Sequence, residues 1–298
     1  MDLQTLNEQF TNENVNFSNR GDDFTIVDIH NEHADASICL QGAQVISWTP
    51  AGEMPVIWTS DTAYYQHGKS VRGGVPICWP WFGAHAKDDT LPAHGFVRTQ
   101  NWNLQSVQSL QDGSTVLMFG FDFSTGTYPW DSRSELTIKI IIGKRLEMYL
   151  QTQNNDEQAF NITEALHTYF RVSDVRQVTI AGLEDCRYLD KVDAFKEKKQ
   201  NGKITINSEV DRVYLDTSNE CIIEDSGLQR KIVIAKSGSL STVVWNPWEQ
   251  KTRLMKDMEP QDYLDMLCVE TANAATNAIT VNAGEAHTMS VAYALERF

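Results

Sequence analysis

A chain of 298 residues with 41% hydrophobic and 10% aromatic side chains carries ample material for a large core, and a single β-sandwich or barrel can reach this length. Lys and Arg number 25 against 40 Asp and Glu, a net charge of −15 that repels polyanions and argues against nucleic acid or anionic membrane as partners. No apolar run approaches the roughly 20 residues of a spanning helix, and Met1-Asp2-Leu3-Gln4-Thr5 has neither the basic nor the apolar part of a signal peptide, so a cytoplasmic protein is expected.

In chain order, Leu3, Leu6 and Phe10 share one face of a short N-terminal helix. Residues 24–29 read as a strand. Ser60-Asp61-Thr62 caps a turn that runs to Tyr65. Gln111-Asp112-Gly113-Ser114 is a turn, followed by a strand over 116–123. Leu136, Ile138, Ile140 and Ile142 fall on one face of a strand, with Thr137 and Lys139 on the other. Gly143-Lys144 then reads as a two-residue turn, and Leu146, Met148 and Leu150 alternate on the return, which makes a hairpin. Further strands read over 231–234, 242–245, 264–269 and 288–295, with turns at Asn201-Gly202 and Ser237-Gly238-Ser239 and a helical turn within 249–258. Strands outnumber helices without a βαβ rhythm, and there is no linker, repeat or low-complexity tract. The expectation is an all-β, antiparallel sandwich forming one domain over 1–298.

Cys39, Cys78, Cys186, Cys221 and Cys268 are odd in number and scattered, with no C-x-x-C pair, so reduced core thiols are expected. Asn16 and Asn161 begin glycosylation sequons, read as chance in a chain without a secretory signal. His30 and His33 lie in a polar stretch and read as solvated. No dinucleotide fingerprint, P-loop, nucleophile elbow or H-E-x-x-H occurs, and no metal-ligand spacing is visible. No metal or organic cofactor is expected.

Four segments concentrate chemically expensive residues. In Arg72-Gly73-Gly74-Val75-Pro76 the glycines suit a backbone that approaches a ligand while the guanidinium reaches out. Trp79, Trp81 and Phe82, which follow, serve equally as a sugar-pocket lining or as packing under the sandwich. Ala93-His94-Gly95-Phe96-Val97-Arg98 presents a histidine and an arginine four apart, a weak signal by itself. Residues 164–170 read as a strand with Glu164, Leu166, Thr168 and Phe170 on one face and Ala165, His167 and Tyr169 on the other. A histidine there titrates near neutrality and suits acid–base work, although a satisfied core histidine is the commoner case. Glu270 closes an otherwise apolar strand, where a buried carboxylate is costly unless paired or functional. Asp211 reads as a loop carboxylate beside Arg212.

Taken together these segments resemble the aldose 1-epimerase (galactose mutarotase-like) superfamily, and most closely its glucose-6-phosphate 1-epimerase branch. The resemblance is carried by Arg72-Gly73-Gly74-Val75-Pro76 with its Trp-Pro-Trp-Phe-Gly continuation, His94-Gly95-Phe96-Val97-Arg98, and His167-Thr168-Tyr169-Phe170. It continues through Asp211-Arg212-Val213-Tyr214, Val244-Trp245-Asn246-Pro247-Trp248 and Val269-Glu270, with Gly42-Ala43-Gln44-Val45-Ile46-Ser47-Trp48 ahead of them all. These motifs fall in register from about residue 40 to 275. The resemblance implies a β-supersandwich with the site on a concave sheet, His167 and Glu270 as the catalytic pair, and Arg72, Arg98, Asp211 and His94 binding substrate. Ala93 stands where some members carry Gln, a departure that bears on which sugar is preferred.

The implied reaction is the interconversion of α and β anomers of a hexose 6-phosphate by a monomer. Glu270 would act as base on the C1 hydroxyl and protonated His167 as acid on the ring oxygen. A mutarotase of free aldohexoses and a non-catalytic sugar-binding module are the alternatives. A glycoside hydrolase using Glu270 and Asp211 as its carboxylate pair is a further one.

Overall fold

The computed structural model describes residues 1–21, 23–123 and 128–298. Its framework is antiparallel sheet, with two α-helices, Leu3–Phe10 and Trp248–Thr252, among the described residues. Every ladder between named strands is antiparallel. This is the expected all-β sandwich.

Four consecutive strands, Val15–Arg20, Phe24–His30, Ala34–Cys39 and Gln44–Pro50, form one sheet in sequence order. A nine-stranded sheet is built around the pairing of Ser134–Ile142 with Leu146–Asn154 and of the latter with Ala286–Arg297. The alternation read from the sequence is the physical cause: Leu136, Ile138, Ile140, Ile142, Leu146, Met148 and Leu150 are all fully buried. Ile142 pairs with Leu146, so the connection is Gly143-Lys144-Arg145, one residue longer than the two-residue turn expected.

The eight-stranded sheet carries the site. Across it run Lys196–Lys199, Arg187–Asp190, Val210–Leu215, Ser241–Asn246, Met266–Asn273, Glu164–Leu166 and Ile77–Cys78, while Tyr169–Arg171 also pairs with Met266–Asn273. One face turns Tyr214, Val244, Val269, Leu267, Leu166 and Phe170 into the main core, together with Trp48, Ile138 and Met148 of the other sheets. With a side-chain period of two, the opposite face must carry Asp211, Val243, Trp245, Cys268 and Glu270. Among the described residues no helix is long and apolar enough to cross a membrane.

Candidate active site

Register brings the two central groups together. Leu166 pairs with Thr271 and Tyr169 with Cys268. Two residues on each strand lie between these pairs, which sets His167 against Glu270. The single strand expected over 164–170 is in fact two short ones, broken where the His167 and Tyr169 amides donate to the Pro76 and Gly74 carbonyls. The alternation survives the break: His167 and Tyr169 face the cavity, while Thr168 bonds Tyr293 and Phe170 packs in the core. Glu270 lies inside the Met266–Asn273 strand rather than at its end.

His167 Nε2 stands 3.3 Å from Glu270 Oε1, with side-chain exposures of 12% and 1%. Burial pushes the Glu270 carboxyl well above the usual carboxylate range; Asp211 pushes it further and Lys191 opposes. Burial likewise holds the His167 imidazole well below its ordinary value, with His94 and Arg98 adding to the effect. Both groups are thereby driven toward neutrality, so the pair holds one proton. Glu270 Oε2 and His167 Nδ1 are buried without a hydrogen-bond partner among the described residues.

These two groups form part of a cavity of about 270 Å³ that Arg72, Phe82, His94, Arg98, Tyr169 and Trp245 also line. His94 meets His167 edge-on with ring centroids 5.5 Å apart, and its Nδ1 accepts from the Gly83 amide at 3.4 Å. Burial first, then Arg98 and Lys191, lowers its pKa to about 3, so His94 is a neutral ring with Nε2–H to donate. Arg72 donates from Nε to Asp257 at 3.1 Å and from Nη1 to the Tyr169 hydroxyl at 3.0 Å. Arg98 donates to the Ala93 carbonyl at 2.9 Å. The cavity thus gathers Arg72, His94, Arg98, His167, Asp211 and Glu270, all six residues named from the sequence.

Some local expectations change. Asp211 lies on the Val210–Leu215 strand, not in a loop, and pairs with Lys191 at 2.9 Å. Arg212 points to the other face, where it bonds Gln200 and stacks over Tyr188. Of the three aromatics only Phe82 lines the cavity; Trp79 is wholly buried with Nε1–H on Thr152, and Trp81 is tied to the Pro92 carbonyl. The close approach at Gly74 is to protein, not ligand: with φ +66°, an added Cβ would lie 2.3 Å from the Val45 carbonyl oxygen. His33 is not solvated; its Nε2 meets the Asp112 carbonyl at 2.6 Å. Lys191 and Lys251 line the cavity unforeseen, because both sit in stretches whose charges read as solvated surface.

A buried carboxylate–imidazole pair at the floor of a small polar cavity, on the open face of an antiparallel sandwich sheet, defines an acid–base enzyme for a small polar substrate. Residues 25–294 match the aldose 1-epimerase family. An Escherichia coli K12 protein called "Putative glucose-6-phosphate 1-epimerase" is 37% identical over 89% of both chains. A Salmonella typhimurium protein of the same name is 37% identical over 85% of this chain and 84% of its own. The crystal structure of a Salmonella typhimurium "putative mutarotase (YeaD)" superposes with a TM-score of 0.89 at 32% identity, covering 97% of this chain and 96% of the other. The chain belongs to the aldose 1-epimerase family and is an isomerase of that type.

Proposed function

We propose that the protein interconverts the α and β anomers of a hexose 6-phosphate, with glucose 6-phosphate the leading candidate, and that His167 and Glu270 move the protons. Ring opening takes one proton from the C1 hydroxyl and places one on the ring oxygen. The C1–ring-oxygen bond breaks with its electron pair going to oxygen, and C1 becomes an aldehyde carbon free to rotate. The pair's one proton first shifts from Glu270 Oε1 to His167 Nε2 across their 3.3 Å contact; Glu270 as carboxylate then receives the first proton and His167 as imidazolium gives the second. Opening therefore converts the ionised pair into the neutral pair that burial favours, and closure reverses each transfer. No net proton or electron is exchanged, which suits a reaction needing only a positioned acid and base. Neutral His94 offers its Nε2–H to a sugar hydroxyl, and Asp211 offers an acceptor beside it.

The observation that carries the phosphate is the charge of the cavity. In a protein of net charge −15, Arg72, Arg98, Lys191 and Lys251 line the wall against Asp211 and Glu270 among the described residues. Arg72 and Lys191 are each bonded to a carboxylate, and Lys251 meets Glu209 at 2.7 Å. Arg98 bonds a neutral carbonyl instead and keeps the rest of its guanidinium fork for phosphate oxygens. The test measures anomer exchange by NMR on glucose 6-phosphate and glucose. A hydrogen bond to a charged group contributes about 1.5–3 kcal/mol, so Arg98→Ala is expected to lose about ten- to a hundredfold in kcat/KM on the phosphorylated sugar and little on glucose. Arg72→Ala, which frees Asp257 and the Tyr169 hydroxyl, is expected to lose on both. Equal losses on both sugars for Arg98→Ala would make a free hexose the better substrate.

A further inference from the structure

His167 and Glu270 have a third neighbour that the acid–base reading leaves unused. A ring nitrogen of His167, the thiol sulfur of Cys268 and a carboxylate oxygen of Glu270 all lie within 4.8 Å of one another. No spacing in the sequence reveals this, because His167 reaches the other two across paired strands. We propose that these three side chains form a site for a zinc-class divalent cation, and that occupancy of this site switches the enzyme off.

Three features support it. Zinc takes imidazole, thiolate and carboxylate together, at about 2.0–2.3 Å, in a tetrahedron whose donor atoms lie about 3.3–3.7 Å apart. The 3.3 Å between His167 Nε2 and Glu270 Oε1 already has that spacing, and the Cys268 sulfur lies within 4.8 Å of both groups. Second, Glu270 Oε2 is buried without a hydrogen-bond partner among the described residues, and a buried carboxylate oxygen left unpaired calls for an occupant. Third, burial holds both the Cys268 thiol and the Glu270 carboxyl protonated in the free protein, and the two negative charges they gain on giving up those protons match a dication. His167 and Glu270 line the cavity while Cys268 is fully buried, and the fourth position suits a water or a sugar hydroxyl. On binding, the thiol and the dyad each release their proton to solvent, and the two groups that exchange protons with the sugar become ligands. The loss of activity, though not the metal site itself, rests on the reading of His167 and Glu270 as the catalytic pair.

The test uses the whole purified protein with Zn²⁺ and Co²⁺ as probes. Competition with a chromogenic chelator is expected to show one equivalent of Zn²⁺ bound, and Co²⁺ should give a near-ultraviolet thiolate-to-cobalt charge-transfer band. Replacing even an outer-shell partner of a metal site typically costs about 10–100-fold in affinity, so Cys268→Ser and Cys268→Ala should weaken Zn²⁺ by about tenfold or more and abolish the band. Wild-type anomer exchange should fall with bound Zn²⁺ and recover with EDTA. Each cysteine variant, scaled to its own zinc-free rate, should resist the same Zn²⁺ concentration. No stoichiometric binding, a cobalt spectrum without the band, or Zn²⁺ binding unchanged in both variants overturns the proposal. A protein that binds cobalt through Cys268 yet shows no anomer exchange would retain the metal site and refute the mutarotase reading instead.

Discussion

His167 and Glu270 oppose each other across the sheet, and their burial decides what each can hold. From ordinary values near 6.5 and 4.3, an acid limb would follow Glu270 and an alkaline limb His167. The structure reverses that order, since Glu270 is raised and His167 lowered, both first by burial. The productive state is the pair with one proton. Activity should fall in acid when His167 takes a second proton, below the ordinary histidine range, and in base when Glu270 loses the last one, above the ordinary carboxylate range. The expected outcome is a broad plateau through neutrality, with His167 observed by NMR as a neutral ring in the free enzyme at pH 7. An imidazolium titrating near its ordinary value would refute this proton inventory. Glu270→Gln and His167→Ala, each removing one transfer partner, should each lose about 10²–10⁴-fold in exchange rate, and a folded variant of near-wild-type rate would remove that residue from the mechanism.

The loop carrying His94 and Arg98 is held by backbone contacts, among them the His94 amide on the Gly83 carbonyl at 2.7 Å. Gly95 bridges Trp79 with φ +71°, and an added Cβ would fall 1.8 Å from the Trp79 carbonyl oxygen. Gly68 has nearly the same φ, +78°, with open space around it. Both alanine substitutions share a left-handed penalty of about 1–2 kcal/mol, and only Gly95→Ala adds a clash with main chain. Denaturation midpoints should therefore drop clearly further for Gly95→Ala, with weaker sugar binding through displaced His94 and Arg98; equal drops would mean the loop yields freely. The same element shows what was legible in the sequence. The strands were, because alternation such as that from Leu136 to Ile142 depends only on neighbours along the chain. The six residues that meet in the cavity could be picked out too, because the family-like motifs mark them individually. Their partners could not. Asp257 meets Arg72 across 185 positions, and Lys191 meets Asp211 from a turn whose lysines and aspartates look like surface. Trp79 was ambiguous for a related reason: an aromatic beside a loop is core or lining according to which way the sheet above it faces.

At the scale of the whole molecule, the sandwich holds at its open face an arrangement that works against its own stability. Glu270 is 1% exposed with one oxygen unpaired, and the core beneath supplies the stability that keeps it there. Linkage gives the sign. A carboxyl whose folded pKa lies above its unfolded value binds more protons folded than unfolded between those two values. Stability therefore declines as pH rises through that window. Below the unfolded value, near 4.3, the group is neutral in both states and its contribution is fully present; above the folded value the loss is complete. Glutamine keeps the shape and polarity of the protonated acid but cannot ionise. Glu270→Gln is thus expected to match wild type in melting temperature near pH 4 and to exceed it by a margin that grows from there up to the raised Glu270 pKa and then levels off, while anomer exchange stays largely abolished. Thermal melts of the two proteins from pH 4 to 9 make the comparison. A variant that melts lower than wild type throughout would show that Glu270 holds the fold together, and the cavity floor would then be structural rather than catalytic.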